Sequence, residues 1–240
     1  MTARVMQQVF QQHIEAALGY GLPRITSDDI ANFLNEAQRE MFDTRFNRYE
    51  VDQKITDDLS PFVTKQTVIN AEYTTPTYDA VAAGYYVDVA PFPATYRHLL
   101  DSRIQVFVAN SGNFDFEIVA VPPDHREPNS ATPYTDYTTQ SAKPRLAQHD
   151  DINTLMSDPF HKSLSTEPLV TISQTGLDVY TDLTFITDKV VIDYLANPTE
   201  IDITQGTDSI FPAFLHRELV ELAVSKYLRF ATNNINTVTE

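Results

Sequence analysis

An α+β fold is predicted by the order of hydrophobic patterns along the chain. Two helix-period stripes open it, a strand-rich middle follows, and a third helix-period stripe closes it. Strands and helices do not alternate through the middle, which argues against a doubly wound parallel sheet. Short strands cannot cover the apolar faces of three helices, so the terminal helices are expected to pack on one another. The expectation is a helical bundle formed by the N- and C-terminal helices, with an inserted antiparallel β domain and an extended loop or arm. Residues 1–62 would begin the helical core. Residues 63–207 would form the β-rich insertion, with a long loop near 122–147, and residues 208–240 would supply the helix that completes the core.

The first helix should run from Ala3 to Leu18. Thr2 can cap it, and Val5, Met6, Val9, Phe10, Ile14 and Ala17 fall on one stripe. Gly19 and Gly21 end it, and Pro23 blocks its continuation. A second helix should start at Ser27, with Asp28 and Asp29 at its positive dipole end. Ile30, Phe33, Leu34, Ala37, Met41 and Phe42 make its buried face, and it ends near Phe46 or Asn47. A further turn or two of helix can form within Glu50 to Leu59 before Pro61 stops it.

Strand patterns follow at Val63 to Ile69, Tyr85 to Val89 and Tyr96 to Asn110. Phe114 to Val121 is expected to return as a hairpin through Asn110-Ser111-Gly112-Asn113. Tyr73 to Ala83 reads as loop. Pro122 to Lys143 is polar, contains prolines and lacks periodicity, so it reads as an exposed loop or arm. Leu169 to Ser173 and Asp178 to Thr181 are expected strands joined at Thr175-Gly176, and Thr187 to Leu195 is the last strong strand. The closing helix should be capped by Asp208 or Ser209, carry Pro212 near its first turn, and end at Asn233-Asn234. Phe214, Leu215, Leu219, Leu222, Ala223, Leu228 and Phe230 form its apolar side.

Composition limits the function. The 240 residues are 42% hydrophobic and 21% charged, enough to bury a core. Only 6 glycines are present, and neither a GxGxxG nor a GxxxxGK[ST] phosphate loop occurs. With no cysteine, disulfides, thiolate metal sites and a cysteine nucleophile are excluded. The formal charge of −16 disfavours phosphate-backbone binding through the average surface. Arg39, Arg45 and Arg48 are the nearest basic patch, and Glu40, Asp43 and Glu50 are expected to cancel it as part of a solvated helix face. The opening MTARVMQQVFQQHIEAAL has no apolar run long enough for a signal peptide, and no stretch approaches the roughly 20 apolar residues of a membrane span. The protein is therefore expected to be soluble and cytoplasmic at synthesis.

Candidate chemistry is sparse. His13, His98, His125, His149, His161 and His216 show no HExxH spacing. His149-Asp150-Asp151 is the most site-like cluster, because imidazole and carboxylates both ligate divalent ions. It also opens the expected helix Ile152 to Met156, where acidic residues are ordinary caps, and capping is the preferred reading. Asp57-Asp58 and Glu36 with Glu40 are paired carboxylates, but glycosidase chemistry needs two carboxyls facing across a cleft. No GxSxG context surrounds any serine. Tyr73, Tyr78, Tyr85, Tyr86, Phe92 and Tyr96 read first as ordinary strand aromatics, then as a subunit interface or a carbohydrate platform. No catalytic residue, metal or cofactor is assigned.

Several segments carry a family resemblance. They are Met1-Thr2-Ala3-Arg4, Phe33-Leu34-Asn35-Glu36-Ala37-Gln38, Ile55-Thr56-Asp57-Asp58-Leu59, Tyr96-Arg97-His98-Leu99-Leu100-Asp101-Ser102-Arg103, His149-Asp150-Asp151-Ile152-Asn153 and Asp158-Pro159-Phe160, together with the Pro212 to Phe230 helix. The chain resembles head-to-tail connector (adaptor) proteins of podovirus-like tailed phages, and most closely the ring proteins of crAss-like phages. The resemblance implies a structural virion protein, not an enzyme, in a homo-oligomeric ring that is commonly twelvefold. Its partners would be the portal protein and other tail or ring proteins, with DNA passing through the lumen and no membrane involved. Assembly would take place in the host cytoplasm. Twelve copies at −16 each would carry about 190 formal negative charges, which would repel phosphates in a channel; plain solubility explains the acidity equally well. The alternative function is a carbohydrate-binding or adhesin-like virion module, suggested by the tyrosine-rich β segments. A hydrolase using the acidic pairs lacks a recognisable site.

Overall fold

The computed structural model describes residues 1–19, 25–49, 51–74, 86–109, 137–182 and 184–237. The chain is mixed α+β. In order, its elements are α1 (Ala3–Leu18), α2 (Ser27–Phe46), α3 (Gln53–Leu59), β1 (Val63–Asn70), β2 (Glu72–Thr74), β3 (Tyr86–Pro91), β4 (Tyr96–Ala109), β5 (Tyr137–Ala142), β6 (Arg145–Leu146), α4 (Ile152–Ser157), β7 (Leu169–Ile172), β8 (Gly176–Thr181), β9 (Phe185–Ala196) and α5 (His216–Thr237). Short 3-10 turns lie at Ser60–Phe62 and Ala213–Leu215. The chain divides into two compact units, residues 1–63 with 196–240, and residues 64–195.

In the first unit, local chemistry sets the helix ends. Thr2 Oγ1 accepts the N–H of Val5, and Gly19 ends α1 at φ 81°, in the left-handed region that glycine tolerates. Thr26 and Asp29 form a reciprocal capping box at the start of α2. The buried stripe of α1 is Ala3, Met6, Phe10 and Ile14; Val5 and Ala17, expected on that stripe, are exposed. Ile30, Leu34, Ala37, Met41 and Phe42 are buried on α2 as expected, joined by Gln38. Both helices pack on α5, where Leu219, Val220, Ala223 and Tyr227 are buried. Tyr227 meets the rings of Phe10 and Phe33 edge-on at 5.9 and 5.5 Å, and Phe62 meets Phe42 and Phe211 at 5.2 and 4.8 Å.

Three expectations for the C-terminal part are corrected. Residues 196–207, placed in the β insertion by sequence, belong to the first unit. Asn35 holds Ile201 through both its amide atoms, accepting its N–H at 2.7 Å and donating to its carbonyl at 3.1 Å, while Gln38 donates to the Thr199 carbonyl at 2.7 Å. Asp208 and Ser209 do not cap the closing helix. Asp208 Oδ1 takes the N–H of Ala3, Ser209 Oγ donates to Gln38 Oε1, and Pro212 occupies the cap position of the 3-10 turn that leads into α5. Asn233-Asn234 does not end the helix, which continues to Thr237. His216 is buried with Nε2 on the Phe211 carbonyl at 2.6 Å.

The second unit contains two sheets, one ordered β1-β9-β4-β5 and the other β2-β3-β8-β7-β6. Ser102, Ile104 and Val106 of β4 are buried on one face, as are Val190, Ile192 and Tyr194 of β9, the two-residue period of a half-covered strand. β4 pairs antiparallel with β5, from Ile104 opposite Ala142 to Ala109 opposite Tyr137. The tail of the expected loop near 122–147 is therefore strand at β5 and β6. Only Ala142 of β5 is buried, so the segment carries no periodic apolar signal. The expected strand at 114–121, its turn at 110–113 and residues 122–136 of the expected arm lie outside the described residues. The expected antiparallel domain also contains a parallel pair, β6 with β7, whose connection through α4 is long enough for a crossover. At the β3–β8 pair, a Cβ on Gly176 would lie 2.2 Å from the Ala90 carbonyl oxygen, so the close approach itself requires glycine. Gln66 in β1 sits at φ 55°, and its N–H is taken by Asp193 Oδ1 at 2.6 Å. No helix among the described residues is long and apolar enough to cross a membrane.

Candidate functional site

The charged groups of the first unit pair with each other across long sequence separations. Arg39 meets Glu200 at 2.6 Å. Arg45 lies between Asp58 at 3.1 Å and Glu218 at 2.9 Å, and Lys226 reaches Glu40 at 2.6 Å. Two of the three arginines of the expected basic patch are thus neutralised, by Glu200, Asp58 and Glu218 instead of by their sequence neighbours. Such pairs leave little charge for phosphate. The paired carboxylates separate. Asp57 is exposed and accepts from Gln53 Nε2 at 3.0 Å, whereas Asp58 is 2% exposed and bound to Arg45. Glu36 is exposed, and Glu40 is held by Lys226. Neither pair faces across a cleft.

In the second unit, the segment from Arg145 to Asp182 holds the His149-Asp150-Asp151 cluster together with Asp158, His161, Lys162 and Asp178. His149 Nε2 lies 3.0 Å from the Ile172 carbonyl, and its ring faces Asp178 electrostatically. Burial pushes the Asp178 carboxyl up, and His149 and the Ser173 hydroxyl offset part of that push. Asp151 stands at the cap position of α4 in helical geometry and makes no side-chain cap bond, so the expected capping role is not filled there. Among the described residues, no group of three or more histidine or acidic side chains is arranged to hold a metal ion.

The loop Asp158 to Ser163 follows α4. Asp158 Oδ1 accepts the N–H of Phe160 at 2.9 Å and Oδ2 pairs with His161 Nδ1 at 2.7 Å, and these two contacts hold its carboxyl below the usual range. Lys162 Nζ reaches Asp182 Oδ2 at 2.7 Å. Burial alone would raise Asp182, but the Lys162 ammonium and the Thr184 hydroxyl and N–H outweigh it, and the carboxyl titrates below its ordinary value. Arg145 donates to the His161 carbonyl, and Ser163, fully buried, donates to the Tyr180 carbonyl. At the tip, Phe160 is 87% exposed. Sequence reading placed Asp158-Pro159-Phe160 within the family resemblance but gave it no role. An Asp-Pro pair is a turn signal, and it could have marked a shaped loop.

Phe92 stacks on Tyr96 with centroids 3.7 Å apart, and Tyr96 meets the buried Tyr194 at 5.7 Å. Burial raises the Tyr96 hydroxyl, opposed by a backbone hydrogen bond with Leu99. These two expected platform residues are only partly exposed and pack against each other. Tyr78, Tyr85 and His125 lie outside the described residues. An open groove of about 670 Å³ runs along Glu221, Val224, Ser225, Leu228 and Arg229 of α5, and another of about 510 Å³ along Arg4, Gln7, Gln8, Gln11 and Ser27. Neither brings an acid and a base together in hydrogen-bonding geometry.

No protein-family model matches the chain, and no curated protein matches it. The site geometry therefore stands alone: paired charges in the first unit, and one shaped loop that holds an aromatic ring in solvent.

Proposed function

We propose that this chain is a structural virion protein, a ring-forming subunit of the head-to-tail connector of a tailed phage, joining portal to tail around the DNA channel. The observation that carries the reading is the division of the chain. Helices from both ends form one unit, and the strand-rich middle forms another. On this reading the first unit is a helical bundle and the second an inserted β domain. One body can then build the ring while the other reaches a neighbour. The resembling segment Phe33 to Gln38 has a matching task, since Asn35 and Gln38 hold the returning chain at Thr199 and Ile201 against α2. Partners would be further copies of the chain, as a dodecamer, then the portal protein and other tail or ring proteins. DNA would pass without sequence-specific contact, which the charge of −16 and the neutralised Arg39 and Arg45 favour. The reading requires neither cofactor nor catalysis, and puts the protein at the head–tail interface of the virion after assembly in the host cytoplasm.

Light scattering on the purified chain, alone and with a portal protein, tests this. A closed ring, or a monomer that joins a portal ring, is the expected result. A stable monomer that ignores portals overturns it. Glycan screening would then test the carbohydrate-binding alternative, against which the mutual stacking of Phe92 and Tyr96 already weighs.

A further inference from the structure

We propose that the Asp158–Pro159 peptide bond is a self-cleaving site, at which the Asp158 carboxylate attacks its own backbone carbonyl and releases Pro159 as a new amino terminus. This activity is independent of the ring reading above. Proline has no N–H, so the Asp158 side chain cannot close onto the following nitrogen as a cyclic imide. The carbonyl of its own residue is left within reach, and attack there closes a cyclic anhydride. The loop holds the carboxylate forward over this bond. Oδ1 accepts the N–H of Phe160 at 2.9 Å and Oδ2 pairs with His161 Nδ1 at 2.7 Å, so the carboxyl reaches past the Asp158–Pro159 peptide group. The same contacts hold it below the usual range, which keeps it ionised and nucleophilic in mild acid. The carbonyl under attack already accepts two backbone N–H groups, from His161 at 3.1 Å and Lys162 at 2.9 Å. Donors at that distance stabilise a developing oxyanion.

The chemistry balances without a co-reactant other than water. A carboxylate oxygen of Asp158 bonds to the Asp158 carbonyl carbon, and the negative charge moves to the carbonyl oxygen. When this intermediate collapses, the bond to the Pro159 nitrogen breaks and its electron pair stays on nitrogen. The proton for that nitrogen comes from His161. Its Nδ1 carries a hydrogen whatever the charge of the ring, because an ionised carboxylate only accepts. In mild acid the imidazole holds both its protons and gives up the one on Nδ1. Water then opens the anhydride and leaves Asp158 with a free backbone carboxyl. Arg145 on the His161 carbonyl, Lys162 on Asp182 and Ser163 on the Tyr180 carbonyl fix the loop in this geometry. The two pieces should stay together after the cut. β7 and β8 pair with β6 and β3 across it, and α5 remains packed on α1 and α2.

The test uses the full chain, incubated at about pH 5, where an imidazole is protonated. Mass spectrometry under denaturing conditions should show residues 1–158 and 159–240 as separate fragments, the second beginning at Pro159. Under native conditions the same sample should run as the uncut protein does. Asp158→Ser removes the carboxylate and should give no fragments. His161→Phe, at an exposed position, should slow cleavage at least about tenfold, and so should unfolding the wild type in urea at the same pH. Thermal melts of both variants check that each is folded. A wild type that stays whole overturns the proposal. So do fragments from Asp158→Ser, which would come from a contaminating protease. A rate unchanged in urea or in His161→Phe would be the ordinary acid lability of an aspartyl–prolyl bond, and overturns it as well.

Discussion

Asp208 Oδ1 accepts the backbone N–H of Ala3 at 2.6 Å, so a residue 205 positions away closes the first turn of α1. The first N–H groups of a helix have no partner within it, and Thr2 meets only the N–H of Val5, at a long 3.4 Å. Asp208→Ala should destabilise the first unit by about 1 kcal/mol, within the usual range for loss of a cap. Asp208→Asn, which keeps the acceptor, should cost less. Urea unfolding of the three proteins checks the order, and equal midpoints would remove the capping role.

Gln38 is 2% exposed and bonded at both ends of its amide, to the Thr199 carbonyl and the Ser209 hydroxyl. Gln38→Leu keeps similar bulk but leaves both partners without their bond. A loss of about 1–3 kcal/mol is expected, chiefly from the buried Ser209 hydroxyl, because Thr199 is exposed and water can replace its bond. Protease cleavage within 196–212 should quicken at the same time. Unchanged cleavage would mean that this segment is held by its apolar residues alone.

Arg45 neutralises Asp58, and Glu218 is the more exposed third member. Arg45→Met should strand a carboxylate that is 2% exposed, at a cost of about 3–5 kcal/mol. Glu218→Gln should cost under about 1 kcal/mol, because that carboxylate is 58% exposed and screened by water. Chemical denaturation of both variants separates the two cases. Equal losses would show that the triad acts as one unit.

Asp182 and Asp178 should give opposite pH dependences. The Asp182 carboxyl titrates below its ordinary value in the folded protein, so its stabilising contribution is present above the unfolded carboxylate range and is lost as pH falls through the folded value. Asp178 is raised by burial, so its ionised form opposes folding at neutral pH and that penalty disappears as pH falls. Asp182→Asn should therefore flatten the loss of stability on acidification below about pH 5. Asp178→Asn should equal or exceed the wild type at pH 7 and lose that margin in acid. Thermal melts across pH 3–7 read both, and parallel curves for all three proteins would refute the assignment.

The helix ends were legible because they are local chemistry. Thr2, Gly19 and the apolar spacing of residues 3–18 place α1 without reference to the rest of the chain, and Ile30 to Phe42 do the same for α2. Loop 158–163 was legible only as a motif. Its shape depends on Arg145, Tyr180 and Asp182, which the chain brings in from other elements. β5 was missed because an edge strand with one buried residue has no apolar period to read.

By itself, then, the sequence determined the α+β class, the boundaries of the first helices, most strand positions and the acidic character. Each follows from short-range periodicity, capping or composition. Only the tertiary structure decided that Arg39 pairs with Glu200 and not Glu40, and that Asp208 caps α1 and not α5. It also decided that residues 196–207 return to the helices and that Phe160 is left in water. A charged or polar side chain can satisfy itself with many partners at similar cost. Which partner it meets is set by how the apolar faces pack, and that choice is not written in the residues on either side of it.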